Sequence, residues 1–112
     1  MMRPDLDIIQ HWIAPGSRVL DLGCGDGSLL EYLKNTRQIS EIGLEIDANN
    51  IHKCLSKGVN VIEQDLNKGL QNFGDKSFDT VLLTQTLQAV NYPDVVIDEM
   101  LRIGRNCSAR KR

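Results

Sequence analysis

Long apolar runs are missing from this chain. None approaches the ~20 residues that cross a bilayer, so no membrane association is expected. An excess of positive charge is missing too: 13 Lys and Arg against 15 Asp and Glu leave a formal charge of −2. Nucleic-acid binding needs a basic face, so no such partner is expected. Cysteine is sparse. Cys24, Cys54 and Cys107 stand at unrelated spacings, cannot all pair, and form no disulfide framework. There is no C-x-x-C or H-x-x-x-H spacing of the kind that holds a metal. The opening residues Met1 to Asp5 lack the charged-then-apolar profile of a secretory leader. Repeats and low-complexity stretches are absent as well. Together these absences point to a reduced, cytoplasmic chain.

What is present is an ordinary globular mixture in 112 residues, 41% hydrophobic and 25% charged, which suits one domain. Its periodicity switches repeatedly between strand and helix. Leu6, Ile9, Trp12 and Ile13 recur at helical spacing and predict a short opening helix that Pro15-Gly16 ends. Arg18 to Leu22 predicts a first strand, and Leu29, Leu30 and Leu33 a helix running toward Asn35. Ile42 to Ile46 predicts a second strand. Asp47 or Asn49 is suited to cap the helix that carries Ile51, Cys54 and Leu55 and stops at Gly58. Val59 to Ile62 predicts a third strand, and the polar stretch from Asn67 to Ser77 a connection with one helical turn. Phe78 to Leu83 predicts a fourth strand, buried on both faces, and Pro93 opens a helix holding Val96, Met100, Leu101 and Ile103. This alternation predicts an α/β fold: a Rossmann-like, doubly wound, mainly parallel sheet with flanking helices.

The chemistry concentrates where the first strand runs into Gly23-Cys24-Gly25-Asp26-Gly27. Alternating glycines allow a sharp turn and remove the Cβ atoms that would hold a ligand off the main chain. The helix that follows aims free N–H groups at the loop. Glu45 ends the second strand 18 residues after Gly27, near the ~20 expected of an acid that accepts both hydrogens of a ribose diol. The alternative for Glu45 is a solvated strand-end charge. Asp65 follows the third strand, where strand ends converge on one crevice, and suits either an exocyclic amine or a simple turn.

These residues carry a family resemblance. The Asp21-x-Gly23-x-Gly25-x-Gly27 loop, Glu45, Asp65 and Ser77-Phe78-Asp79 resemble class I S-adenosylmethionine-dependent methyltransferases. More narrowly, Arg18 to Gly27, Gly43-Leu44-Glu45-Ile46-Asp47, Gly58 to Ile62 and Thr84 to Val90 resemble the MetW-like methionine biosynthesis proteins, and the likeness runs from Arg3 to Cys107. It implies a site for S-adenosylmethionine or S-adenosylhomocysteine. Gly23, Cys24, Gly25 and Gly27 would approach the amino-acid part, Asp21 its ammonium, Glu45 the ribose, and Asp65 with Leu66 the adenine. Ile46 would pack on the adenine face, or else is plain core. Thr84 and Gln85 would line the methionine end. It also implies a protein partner, a homoserine O-acyltransferase.

The resemblance further implies seven strands, and the pattern here supports about four in a domain spanning 1–107, with 108–112 as a disordered basic tail. On that basis the fourth strand is an open edge that invites a homodimer. No general base stands out. His11 and His52 suit surface or cap positions, and Cys24 suits small-residue packing. Lys53 with Lys57, and Arg102 with Arg105, suit solvated faces, with a partner interface open for the arginines. Tyr92 suits either the crevice or the last helix. Besides the partner role, three readings remain: a small-molecule methyltransferase, a nicotinamide-dependent oxidoreductase disfavoured by its glycine spacing, and an inactive truncated domain.

Overall fold

Alternation of apolar residues along the central strands sets the layers. In β1 (Arg18–Leu22), Val19 faces one side of the sheet while Leu20 and Leu22 face the other. In β4 (Phe78–Leu83), Leu82 joins Val19, whereas Phe78, Val81 and Leu83 join Leu20. All of these side chains are buried, as expected for strands covered on both faces. The computed structural model describes residues 11–83 and 90–109. The predicted opening helix therefore falls largely outside the described residues.

Two layers of helix cover the sheet. On one face lie α1 (Ser28–Arg37) and α2 (Ala48–Ser56), packing Leu29, Leu30, Leu33 and Cys54 around Val19. On the other face lie α3 (Pro93–Ile103) and the connection after the third strand, packing Leu70, Phe73, Val96, Met100 and Ile103 around Leu20. Asp47 caps α2, its side chain accepting from Asn50 N–H at 2.9 Å. β2 is Ser40–Glu45 and β3 is Val61–Glu63, and a single 3-10 turn at Leu66–Lys68 interrupts the connection to β4.

Among the described residues five strands form one all-parallel sheet in the order β3-β2-β1-β4-β5. The chain first steps outward from β1 to β3, then returns to the other side of β1. This reversal makes the sheet doubly wound and leaves a crevice outside the carboxyl ends of the strands.

One element exceeds the expectation of about four strands. β5 (Gly104–Ala109) starts directly at the end of α3 and pairs with β4 from Phe78↔Gly104 to Leu83↔Ala109. Its residues Arg105, Asn106 and Ser108 have little strand propensity, so the partner strand and not the local sequence places it. Gly104 permits the approach, since a Cβ there would lie 2.6 Å from Val81 Cγ2. Two expectations change. β4 is paired on both sides, which removes the open edge on which a homodimer was argued, and ladder pairing continues through Ser108 and Ala109 instead of ending at Cys107.

Candidate functional site

Gly23 leaves β1 with φ +72°, Gly25 follows at +62° and Gly27 at +84°, all in the left-handed region where a side chain is strained. Between them Cys24 N–H donates to the Leu44 carbonyl at 2.9 Å, fastening the loop across to β2. Gly27 caps α1, and a Cβ on it would lie 2.9 Å from Cys54 Sγ. The alternate glycines thus serve two ends: three left-handed turns, and close packing of the loop on α2.

Glu45 closes the other side of the loop. Its Oε1 accepts from Gly25 N–H at 2.8 Å, and its Oε2 accepts from Ile46 N–H at 3.2 Å and Asp47 N–H at 3.1 Å. The carboxylate is buried and fixed by three backbone donors, on the same rim as the glycine turn. Oε1 carries one of these bonds and keeps capacity for another acceptor contact. Asp65, following β3, accepts from Asn67 N–H at 2.9 Å, and the Asn67 side-chain oxygen in turn accepts from Asn91 N–H at 2.8 Å. The loops after β3 and before α3 are joined there.

These parts border a cavity of about 120 Å³ at the carboxyl ends of the strands. Gly23, Glu45, Ile46, Asp65 and Leu66, all singled out in the sequence, line it together. Leu44, Gln64, Asn67 and Val90 complete the lining. Gln64 and Asn67 were missed in the sequence; the place of Gln64 beside Asp65 could have flagged it, whereas Asn67 carries no signal beyond that of a turn residue. Ile46 is 58% exposed, which settles its alternatives against core. Other assigned residues do not reach the cavity. Asp21 is wholly buried behind the turn in β1, and Gly25 and Gly27 spend their contacts on Glu45 and Cys54. Thr84 and Gln85 lie outside the described residues, as do the other residues of 84–89.

Cys24 is buried, and burial followed by the neighbouring Asp21 charge pushes its thiol far up. In the reduced chain it packs the loop against α2. Asp26, in the same loop, is held below the usual carboxylate range first by the Ser28 side chain and then by Ser28 N–H, from which it accepts at 3.0 Å. His11 and His52 are exposed, and among the described residues no group of His, Cys, Asp and Glu is placed to hold a metal. Tyr92 is exposed beside the start of α3 and is absent from the cavity wall. No helix of the described residues is long and apolar enough to cross a membrane.

A family model described as methionine biosynthesis protein MetW matches residues 3–109. The chain belongs to the MetW family. A curated relative, the bifunctional methionine biosynthesis protein MetXA/MetW of Rhodopirellula baltica, is 40% identical over 110 residues, covering 91% of this chain and 18% of its own length. The chain spans about a third or less of the length of the curated relatives it matches. Among solved structures, the [4+2]-cyclase SpnF superposes with a TM-score of 0.77 at 24% identity, covering 88% of this chain and 39% of its own. Coclaurine N-methyltransferase bound to N-methylheliamine and S-adenosylhomocysteine gives 0.74 at 16% identity, covering 90% and 32%. At such identities these two likenesses show the fold alone, and the two proteins differ in chemistry.

Proposed function

We propose that this MetW-family protein binds S-adenosylmethionine, or S-adenosylhomocysteine, in the crevice at the ends of β1, β2 and β3. The carrying observation is that one small cavity collects Gly23, Glu45, Ile46, Asp65 and Leu66. The donor set suits the ligand. Gly23 presents bare backbone, and Leu44, Ile46, Leu66 and Val90 offer apolar walls to a purine. Asp65 and Gln64 provide acceptors for its amine, and Glu45 Oε1 has capacity left for a ribose hydroxyl. At about 120 Å³ the cavity is smaller than the ~300–1,000 Å³ of whole ligand sites, so it suits the nucleoside part. By the resemblance, Asp21 would serve the ammonium and Thr84 and Gln85 the methionine end.

The bound molecule would supply a sulfonium methyl group. No histidine or lysine lines the described cavity, so this chain's own contribution is binding and alignment. That favours a role as a cytoplasmic partner that activates a homoserine O-acyltransferase in methionine biosynthesis. The fused MetXA/MetW relative supports it, because two activities kept in one chain are suited to act on one another. A second reading, a small-molecule methyltransferase, draws support from the methyltransferase fold and from the fact that such transfer needs little beyond alignment.

Titration calorimetry with S-adenosylmethionine, S-adenosylhomocysteine and NAD tests the cofactor. Binding of the first two and not the third is expected, and preferential NAD binding would overturn the assignment. Acyltransferase activity measured with and without this chain tests the partner role. A rate unchanged by the addition removes it, and methyl transfer to a small acceptor would favour the second reading.

A further inference from the structure

Cys24, in the glycine loop, and Cys54, on α2, come from opposite sides of one contact, and their sulfurs lie 3.7 Å apart. Both side chains are buried, at 2% and 0% exposure. The surrounding backbone is shaped around them. A Cβ on Gly43 would lie 2.5 Å from Cys24 Sγ, and one on Gly27 2.9 Å from Cys54 Sγ. Cys54 S–H donates to the Gly25 carbonyl at 3.3 Å, while Gly25 N–H holds Glu45 on the crevice side. One residue, Gly25, thus links the thiol pair to the crevice acid through the two peptide groups on either side of its Cα.

We propose that Cys24 and Cys54 form a dithiol that a peroxide closes to a disulfide, and that closure loosens the glycine loop's hold on Glu45. The effect on ligand affinity rests on the cofactor reading above; the disulfide itself does not. The oxidant is hydrogen peroxide, small and uncharged. Cys54 reacts first. Its thiol is pushed up by burial, but the hydrogen bond from Cys24 and the charge of Lys57 oppose the shift, whereas every influence on Cys24 raises it. The Cys54 thiolate attacks one peroxide oxygen, the O–O bond breaks, and the departing hydroxide takes a proton to become water. Cys24 sulfur then attacks the Cys54 sulfenic sulfur, and the expelled hydroxyl leaves as a second water with the Cys24 proton. Two thiols give up two electrons and one peroxide accepts them.

Closure needs the sulfurs to approach by roughly 1.7 Å, from 3.7 Å to the ~2.0 Å of a disulfide. A disulfide has no S–H, so the Gly25 carbonyl loses the thiol donation, and drawing Cys24 toward α2 displaces the backbone of the adjoining Gly25 from Glu45.

The test uses the full chain carrying Cys107→Ser, which removes the one exposed thiol. After hydrogen peroxide, peptide mapping without reductant should find Cys24 linked to Cys54, and dithiothreitol should reverse it. Hydrogen exchange at Gly25 N–H should quicken, and affinity for S-adenosylmethionine should fall about fivefold, the size of one lost hydrogen bond. Adding Cys54→Ala should abolish all three responses. Both thiols remaining free under peroxide that oxidises the denatured chain would overturn the proposal, as would a linked pair with unchanged exchange at Gly25. A reduced protein with no affinity for the cofactor would defeat the functional reading instead, leaving linkage and exchange to judge the dithiol.

Discussion

Glu45 holds the loop and faces the crevice at once, so its replacements separate two roles. Glu45→Ala strands the N–H groups of Gly25, Ile46 and Asp47 and should lower both stability and cofactor affinity, each by about 1–3 kcal/mol. Glu45→Gln keeps one acceptor oxygen and should fall between the two, as read by urea denaturation and calorimetry. Equal affinity for the wild type and Glu45→Ala would take this residue out of the site. Gly43→Ala tests packing beneath the loop. Its new methyl meets Cys24 Sγ at 2.5 Å and Leu30 Cδ1 at 3.1 Å, and overpacking of this kind should cost about 1–3 kcal/mol. Burial also makes the fold sensitive to alkali. The Cys24 thiol stays protonated in the folded chain while the unfolded chain ionises near pH ~8.5, so stability is full below that value and declines as pH rises beyond it. Melting temperatures taken across that range should show the decline, and Cys24→Ala should lessen it.

Among the elements, the connection from β3 to β4 is tied to α3 through the Arg102 side chain. Arg102 donates to the carbonyls of Leu70 and Phe73 at 3.1 and 2.8 Å, and to Asp75 and Glu99. The sequence pattern put Arg102 on a solvated face; it is instead the clip that seats Phe73 and Leu70 on the core. Arg102→Ala should lower the melting temperature, and Arg102→Lys should recover little, since lysine lacks the planar fork. The Arg102 hydrogen bond holds the Glu99 carboxyl below its ordinary range, so the pair's contribution is full above pH ~4.3 and is lost as pH falls through the lower folded value. The gap between wild type and Arg102→Ala should therefore narrow in acid. Local pattern made β4 and the start of α3 legible to the residue, because an apolar run and a proline announce themselves. The glycine turn and Glu45 were legible for the same reason: their chemistry is written in residue type. Arg102 reaches the backbone carbonyls of Leu70 and Phe73, and Glu45 accepts from backbone amides, contacts that no spacing records. β5 was invisible because its polar residues alternate with nothing.

For the whole molecule, β5 is the difference between a covered and a bare β4. Truncation after Ile103 would leave the backbone of Phe78–Leu83 unpaired on one side, and such an edge recruits other chains. Light scattering of that shortened chain should show association, with a melt below that of the intact chain; a monodisperse monomer of equal stability would contradict it. The strand order has a temporal side. β1 sits between β2 and β4, and Arg18 N–H donates to Asp79 Oδ2 across 61 residues of sequence. A ribosome adding about 5–20 residues per second takes roughly 3–12 seconds to cover that distance. Through that interval the nascent β1 waits half-clad, its Leu20 and Leu22 flank bare, and chaperones have their opening.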